Sequence, residues 1–229
     1  MPVTFRDVSD AILESGLTPR GGFHPDAADV VPGNPGTLVL VGNAGPAMWA
    51  AFSRDRASYA DRANPLDDWV RDRLTVLADR VGAAPLFPFG GPPFLPFQRW
   101  AQKAEPVHPS PLGLLIHPDY GLWHAYRGAL AFGDRLALPR PDTRPSPCKS
   151  CLEKPCLSTC PVGAFGANGY DVPACAGHLQ TSAGGDCMDL GCRARRACPV
   201  GVGTTYEPDQ AGFHMQAFRA AQTGGGSKD

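Results

Sequence analysis

No cysteine occurs in the first 147 residues of this chain; all eight lie between Cys148 and Cys198. No disulfide can therefore brace the long N-terminal part, and the composition changes sharply near residue 148. Long apolar runs are also missing. Nothing approaches the roughly 18 apolar residues of a membrane helix, and "MPVTFRDVSDAILESG" lacks the apolar core of an export signal. The expectation is a cytoplasmic protein with no membrane partner, in which thiols stay reduced and clustered cysteines bind metal rather than pair. An excess of one charge is absent too. Lys and Arg number 21 against 22 Asp and Glu, a formal net charge of −1, which argues against a nucleic-acid partner. Gly 27 and Pro 25 make up just under a quarter of the 229 residues, short of the share, about 25–30 %, that marks disorder.

The sequence reads as a folded, loop-rich chain in three parts. Residues 1–140 form an α+β domain and 141–205 a small cysteine domain. Residues 206–229 are a C-terminal helix and flexible tail. The Pro- and Arg-rich "LPRPDTRPSP" (138–147) is the linker. In residues 5–15, Phe5, Val8 and Ile12 fall at helical spacing with Gly16 past the end. Residues 17–36 read as loop. "TLVLVG" (37–42) reads as a buried strand running into a turn at "GNAG". Asn64 and Pro65 start a helix whose apolar face is Leu66, Val70, Leu74, Leu77 and Val81, ended by Gly82. "APLFPFGGPPFLPF" is an aromatic, proline-stiffened stretch, with a short helix expected after Pro96. In "LGLLIHPDYGLWHAYRGALAFG" (112–133), two apolar runs flank "PDYG", the composition of a turn between paired strands. Arg127 interrupts the second run and is read as either an edge residue in solvent or an anion partner. The element order gives an α+β fold with a mostly antiparallel sheet.

The cysteines carry the chemistry. Cys148-x2-Cys151-x4-Cys156-x3-Cys160-Pro differs from the bacterial ferredoxin run C-x2-C-x2-C-x3-C-P by two extra residues before the third cysteine. In that motif three thiolates from one tight loop wrap one face of a cubane, and the fourth serves the other cluster. The second set is Cys175, Cys187-x4-Cys192-x5-Cys198-Pro, and "CPVG" closes both sets. The resulting assignment is two 4Fe–4S clusters, one held by Cys148, Cys151, Cys156 and Cys198, the other by Cys160, Cys175, Cys187 and Cys192. Two four-cysteine zinc sites would also use all eight, but the double Cys-Pro and the crossed spacing are not zinc-ribbon features. Arg193, Arg195 and Arg196 lie between two of these ligands, either stabilising a reduced cluster or forming a solvated charge run.

The stretch "SPLGLLIHPDYGLWHAYRGALAF", leading through the linker into the cysteine motif, resembles the epoxyqueuosine reductases over roughly residues 112–202. Those enzymes couple a cobalamin-binding domain to two 4Fe–4S clusters, and their ligand order includes an isolated cysteine, the role this resemblance implies for Cys175. The first 140 residues look like the CblC-type cobalamin-processing proteins, through "TLVLVGNAGPAMW" (37–49), "NPLDDWVRDRL" (64–74) and "IHPDYGLWHAYRG" (116–128). That resemblance implies a flavin-reductase-like (nitroreductase-like) cobalamin-binding domain, here joined to a small C-terminal bacterial ferredoxin-like di-cluster domain. It also implies base-off cobalamin, reductive removal of the upper ligand, and flavin or glutathione as partner. His117, Tyr120, Trp123 and Arg127 are the implied cofactor contacts, Arg127 matching an arginine that contacts glutathione. His117 or His124 as a cobalt ligand is disfavoured, because both families bind the cofactor without one.

The expected function is therefore an oxidoreductase of cobalamin reductase or decyanase type, fed by a ferredoxin or flavoprotein reductase, with no catalytic residue identified. Two other functions compete: an epoxyqueuosine-reductase-like enzyme and a non-enzymatic iron–sulfur electron carrier. Residues 83–111 hold no counterpart of the acidic substrate motif of the queuosine enzymes, which argues against tRNA as substrate.

Overall fold

The computed structural model describes residues 3–223; the last part of the helix and flexible tail expected over 206–229 lies outside the described residues. In chain order the elements begin with α1 (Phe5–Glu14), β1 (Thr18–Phe23), β2 (Thr37–Ala44), α2 (Ala47–Asp55) and α3 (Pro65–Val81). Next come β3 (Ala84–Leu86), α4 (Phe97–Ala104), β4 (His108–Pro109), β5 (Leu115–Ile116) and β6 (His124–Phe132). The rest are α5 (Pro155–Ser158), β7 (Phe165–Gly166), β8 (Gly169–Tyr170), α6 (Val172–Leu179), α7 (Gly185–Leu190), α8 (Arg193–Arg196) and α9 (Pro208–Thr223). Two compact units result. The first is residues 1–107 with 124–144, and the second is 108–123 with the chain from 145 on. Segment 108–123 thus packs with the cysteine region rather than with the N-terminal sheet. So does α9, which lies against α6 and α7.

The first unit is a four-stranded sheet in the order β1-β2-β6-β3, every pair antiparallel. Leu38, Val39, Leu40 and Val41 of β2 are all fully buried, as an unbroken apolar run in a sheet covered on both faces requires. Helix α3 packs on β3 and β6, α2 on β2, α1 on β1, and α4 on β1 and β2. Helix α1 is held at its start by a capping box in which Thr4 and Asp7 exchange hydrogen bonds. Val8 and Ile12 are then turned inward. Helix α3 buries Leu66, Val70, Leu74 and Leu77 and ends at Gly82, whose φ of 72° is the left-handed stop expected there.

Three expectations fail for physical reasons. The stretch 17–36 is not all loop, because Thr18–Phe23 is strand β1. Pro19, Gly21 and Gly22 hide it; it is an edge strand with a bulge between Pro19 and Gly22, where proline and glycine are tolerated. The turn expected at "GNAG" is strand instead: β2 runs on through Ala44, paired with β6, and the chain turns only at Gly45 and Pro46 before the uncapped helix α2. Third, the runs flanking "PDYG" do not pair with one another. Strand β5 pairs with β4, and β6 pairs with β2 and β3. The turn itself forms, with His117 and Gly121 exchanging backbone hydrogen bonds of 2.8 and 2.9 Å.

Among the described residues the second unit has several short helices and the longer α9, two two-stranded sheets and two small apolar centres. One centre holds Leu112, Ile116, Leu122, Ala194 and Cys198; the other holds Trp123, Tyr206 and Ala211. No helix among the described residues is long and apolar enough to cross a membrane.

Candidate functional site

Cys160, Cys175, Cys187 and Cys192 wall one small cavity of about 20 Å³, together with Phe165, His178, Leu179, Ala194 and Met215. Four separate pieces of chain supply the thiols. Cys160 ends the turn after α5, Cys175 lies in α6, Cys187 in α7, and Cys192 immediately precedes α8. Hydrogen-bond donors surround the sulfurs. Ala164 N donates to Cys160 Sγ at 3.3 Å, the Tyr170 hydroxyl bonds Cys175, and the backbone at Arg195 and Ala194 bonds Cys192. Burial pushes the Cys175 and Cys192 thiols up, and the other members of the set add to the effect. Four crowded thiolates need a positive partner to ionise together, so this donor set fits an iron–sulfur cluster.

The remaining four thiols form the other group. Cys148 and Cys151 line a wide surface recess with His108, Ser146, Lys149, Leu152 and Lys154. Cys148 and Cys156 pack against the apolar centre that contains Cys198, and so do Cys160 and Cys192 of the first group. Burial raises the Cys148, Cys156 and Cys198 thiols, and the neighbouring members of the same four raise each of them further. All eight cysteines are free of disulfides. Among the described residues no set of three or more His, Cys, Asp or Glu side chains is placed to close on one metal ion; the four thiols of the cavity line its walls.

The repeated "CPVG" has a local explanation. Gly163 and Gly201 both take left-handed φ values, 59° and 74°, a conformation glycine adopts without strain. Each lets the chain turn sharply after a cysteine and a proline. Gly201 also sits where a Cβ would be 2.3 Å from the Tyr120 carbonyl carbon, so the second copy docks on the "PDYG" turn.

The arginines of "CRARRAC" have partners of their own. Arg193 and Arg196 both grip Asp186, Arg193 at 2.6 Å, and together they hold its carboxyl below the usual range. Arg195 lies over both the Trp123 and Tyr206 rings, at 4.4 and 4.6 Å from their centroids, and donates twice to the Leu122 carbonyl. Arg195 and Arg196 are therefore half-buried and held in place, while Arg193 stays exposed to solvent beside Asp186.

The four residues of the 116–128 segment divide between the units. His117, Tyr120 and Trp123 belong to the second and Arg127 to the first. His117 is buried and stacked on Tyr120 at 4.4 Å, while Trp123 is buried against Tyr206. The Nδ1 of His117 accepts from the backbone N–H of Asp119 at 3.0 Å. The Nδ1 of His124 accepts from Arg20 at 3.1 Å, since a guanidinium only donates. In both neutral rings the proton is therefore assigned to Nε2 and the free lone pair is already used, which leaves neither ring a nitrogen for cobalt.

Arg127 is not an edge residue in water. Strand β6 is interior to the sheet, and Val41 faces Gly128 while Gly42 faces Tyr126, so Arg127 is the extra residue of a bulge. Its side chain, 15 % exposed, reaches Asn43 Oδ1 at 3.3 Å and Asp67 at 3.9 Å. Burial raises the Asp67 carboxyl above its usual range, against the pull of Arg127.

A buried polar network beside this bulge was not foreseen. Arg20, fully buried, binds Glu105 at 2.7 Å, the Asn43 carbonyl at 2.8 Å and His124, and lies over the Tyr126 ring. The Tyr126 hydroxyl also donates to Glu105. The sequence offered only a weak signal, an arginine flanked by prolines and glycines. In the aromatic stretch, Phe97 is core beside Trp100. Phe87 and Phe89 form a half-buried pair under Arg71, and Phe94 is 68 % exposed.

No family model matches the sequence and no curated protein matches it. Solved structures do share the fold. An epoxyqueuosine reductase with a tRNA-Tyr epoxyqueuosine-modified stem loop aligns at 15 % identity and TM-score 0.54, over 90 % of this chain and 69 % of that one. The epoxyqueuosine reductase of Streptococcus thermophilus aligns with the same identity, TM-score and coverage. The C. elegans B12-trafficking protein CblC, a human MMACHC homologue, aligns at 14 % identity and TM-score 0.52, over 94 % of both chains. The chain is a mixed α+β protein of the fold these proteins have in common.

Proposed function

We propose that this protein is an iron–sulfur reductase that binds cobalamin with its lower base detached and removes the upper ligand reductively. The observation that carries the reading is the cavity walled by Cys160, Cys175, Cys187 and Cys192, in a chain with the fold of a B12-trafficking protein. When bound, the clusters supply single electrons, and the corrinoid supplies a metal–ligand bond that weakens on reduction. Cys148, Cys151, Cys156 and Cys198 hold one cluster, and the four thiols of the cavity hold the other. Phe87, Phe89 and Phe94 offer an apolar face to a broad, mostly apolar ligand. Arg127, carried out of register by the bulge, holds the polar edge of the ligand, either corrin amides or the carboxylate of a thiol partner. A ferredoxin or flavoprotein reductase delivers the electrons.

A second reading, reduction of a modified nucleoside with cobalamin as cofactor, is supported by the likeness to the epoxyqueuosine reductases. One experiment tests both. Anaerobically purified protein is assayed for iron and mixed with cyanocobalamin, and the visible bands are followed before and after a one-electron reductant is added. The proposal expects about eight irons per chain, base-off bands on mixing, and release of cyanide on reduction. Zinc in place of iron overturns the cluster assignment. Unchanged bands leave an electron carrier. Base-off binding without cyanide release favours the nucleoside reading.

A further inference from the structure

His178 has a buried ring nitrogen with no partner. Its Nε2 is out of contact with solvent and makes no hydrogen bond within the protein, yet the side chain lines the four-cysteine cavity. The placement follows from helix geometry. Cys175 and His178 are three residues apart in α6, so they share a face. The end of that helix is fixed by Thr181, whose backbone N–H and hydroxyl both donate to the His178 carbonyl, at 3.0 and 2.8 Å. Leu179, beside it, is buried. A polar nitrogen sealed from water and left unmatched is costly, so the Nε2 of this half-buried ring calls for an acceptor. Three of the four thiols already receive hydrogen bonds, Cys160 from Ala164, Cys175 from Tyr170 and Cys192 from the start of α8. The sulfurs gathered in this lining, Cys187 among them, are the acceptors that share the cavity with His178.

We infer that His178 donates from Nε2 to a sulfur of the group held by Cys160, Cys175, Cys187 and Cys192, and thereby raises its reduction potential. The inference rests on the cluster assignment proposed above. An N–H bound to a cluster sulfur is stronger when the cluster carries the extra electron, which stabilises the reduced form. The hydrogen bond makes this cluster the better electron acceptor than it would be without His178. His178 is a positioning residue for charge and not a ligand.

The test compares the parent with His178→Phe and His178→Gln, using iron analysis and redox titration followed by electron paramagnetic resonance. The second cluster's signal is identified as the one missing in Cys175→Ala. His178→Phe is expected to weaken reduction of that cluster about tenfold, close to 59 mV for a one-electron couple, with iron content unchanged. His178→Gln, which keeps a donor, recovers most of the difference. In parent protein labelled with 15N-histidine, pulsed resonance on the reduced second cluster should show weak coupling to one nitrogen, a measurement that does not depend on either variant folding. An unchanged potential with full iron, or no histidine coupling in the parent, overturns the role of His178 while leaving the clusters standing. Loss of about four irons in both variants, with strong nitrogen coupling in the parent, would make His178 a ligand and also overturn it. Absence of iron from the parent is the separate failure of the cluster assignment.

Discussion

Replacing Glu105 by Ala should destabilise the first unit more than any exposed ion pair of that unit could. The Arg20 side chain is 0 % exposed and that of Glu105 10 %. The guanidinium turns its Nε and one Nη to Glu105, and it also reaches the Asn43 carbonyl, His124 and the face of Tyr126. Removing the carboxylate leaves a permanent positive charge in the interior and takes the acceptor from the Tyr126 hydroxyl. Breaking a buried pair from one side costs about 3–5 kcal/mol, a large share of a stability of about 5–15 kcal/mol. For a chain of this size, about 2–4 °C of melting temperature is lost per kcal/mol, so the expected drop is on the order of 6–20 °C. Thermal unfolding followed by circular dichroism, under anaerobic conditions, measures it. The double variant Arg20→Met with Glu105→Leu should recover most of the loss, since apolar side chains of similar volume often replace a buried pair at little cost. A drop for Glu105→Ala under about 1 kcal/mol, the range of exposed pairs, would refute the reasoning. So would a double variant no better than the single one.

Arg127→Ala should lower cobalamin affinity or the rate of ligand removal with a melting temperature near the parent's, because its partners Asn43 and Asp67 keep other contacts or water; spectral titration and unfolding together decide it, and unchanged binding and rate would remove Arg127 from the site. In the same variant Asp67 loses the cation that lowers its pKa, so a carboxyl already raised by burial should titrate higher still, which its NMR titration would show. Cys175→Ala should leave about four irons per chain, those of the other thiol set; equal loss from both sets would show that the grouping is wrong.

How far each feature could be read from the sequence depended on how local its cause is. The strand β2 was visible because burial on both faces writes itself as consecutive apolar residues. Helix α3 was visible because Asn64, Pro65 and Gly82 punctuate a 3.6-residue apolar repeat. The spacing of the cysteines separates them into two groups of four, and the structure gathers the cavity group from four segments; that they ligate clusters is the proposal. The rest depended on contacts distant in sequence. Strand β1 exists only because β2 lies beside it, and its own residues favour turns. The runs around "PDYG" look like a hairpin locally, but β6 finds a better partner in β2. The bulge that frees Arg127 is a property of register, which no single strand reveals. Arg20 and Glu105 are 85 residues apart, and neither residue type suggests burial until the other is in place.

The two thiol groups are nested along the chain. Under the proposed ligand assignment, Cys160 to Cys192 lies wholly inside the interval from Cys156 to Cys198, and an order of cluster loading is then expected. Although Cys148, Cys151 and Cys156 leave the ribosome first, their set cannot close until Cys198 follows, by which time the inner four are already present. Closing the inner loop first draws the ends of the outer one together and reduces the entropy that its closure costs. On that proposal the outer set is expected to be the clasp of the unit, filling last during assembly and opening first under oxidation or chelation. Protein caught part-way through metal loading should therefore carry the inner group and lack the outer one.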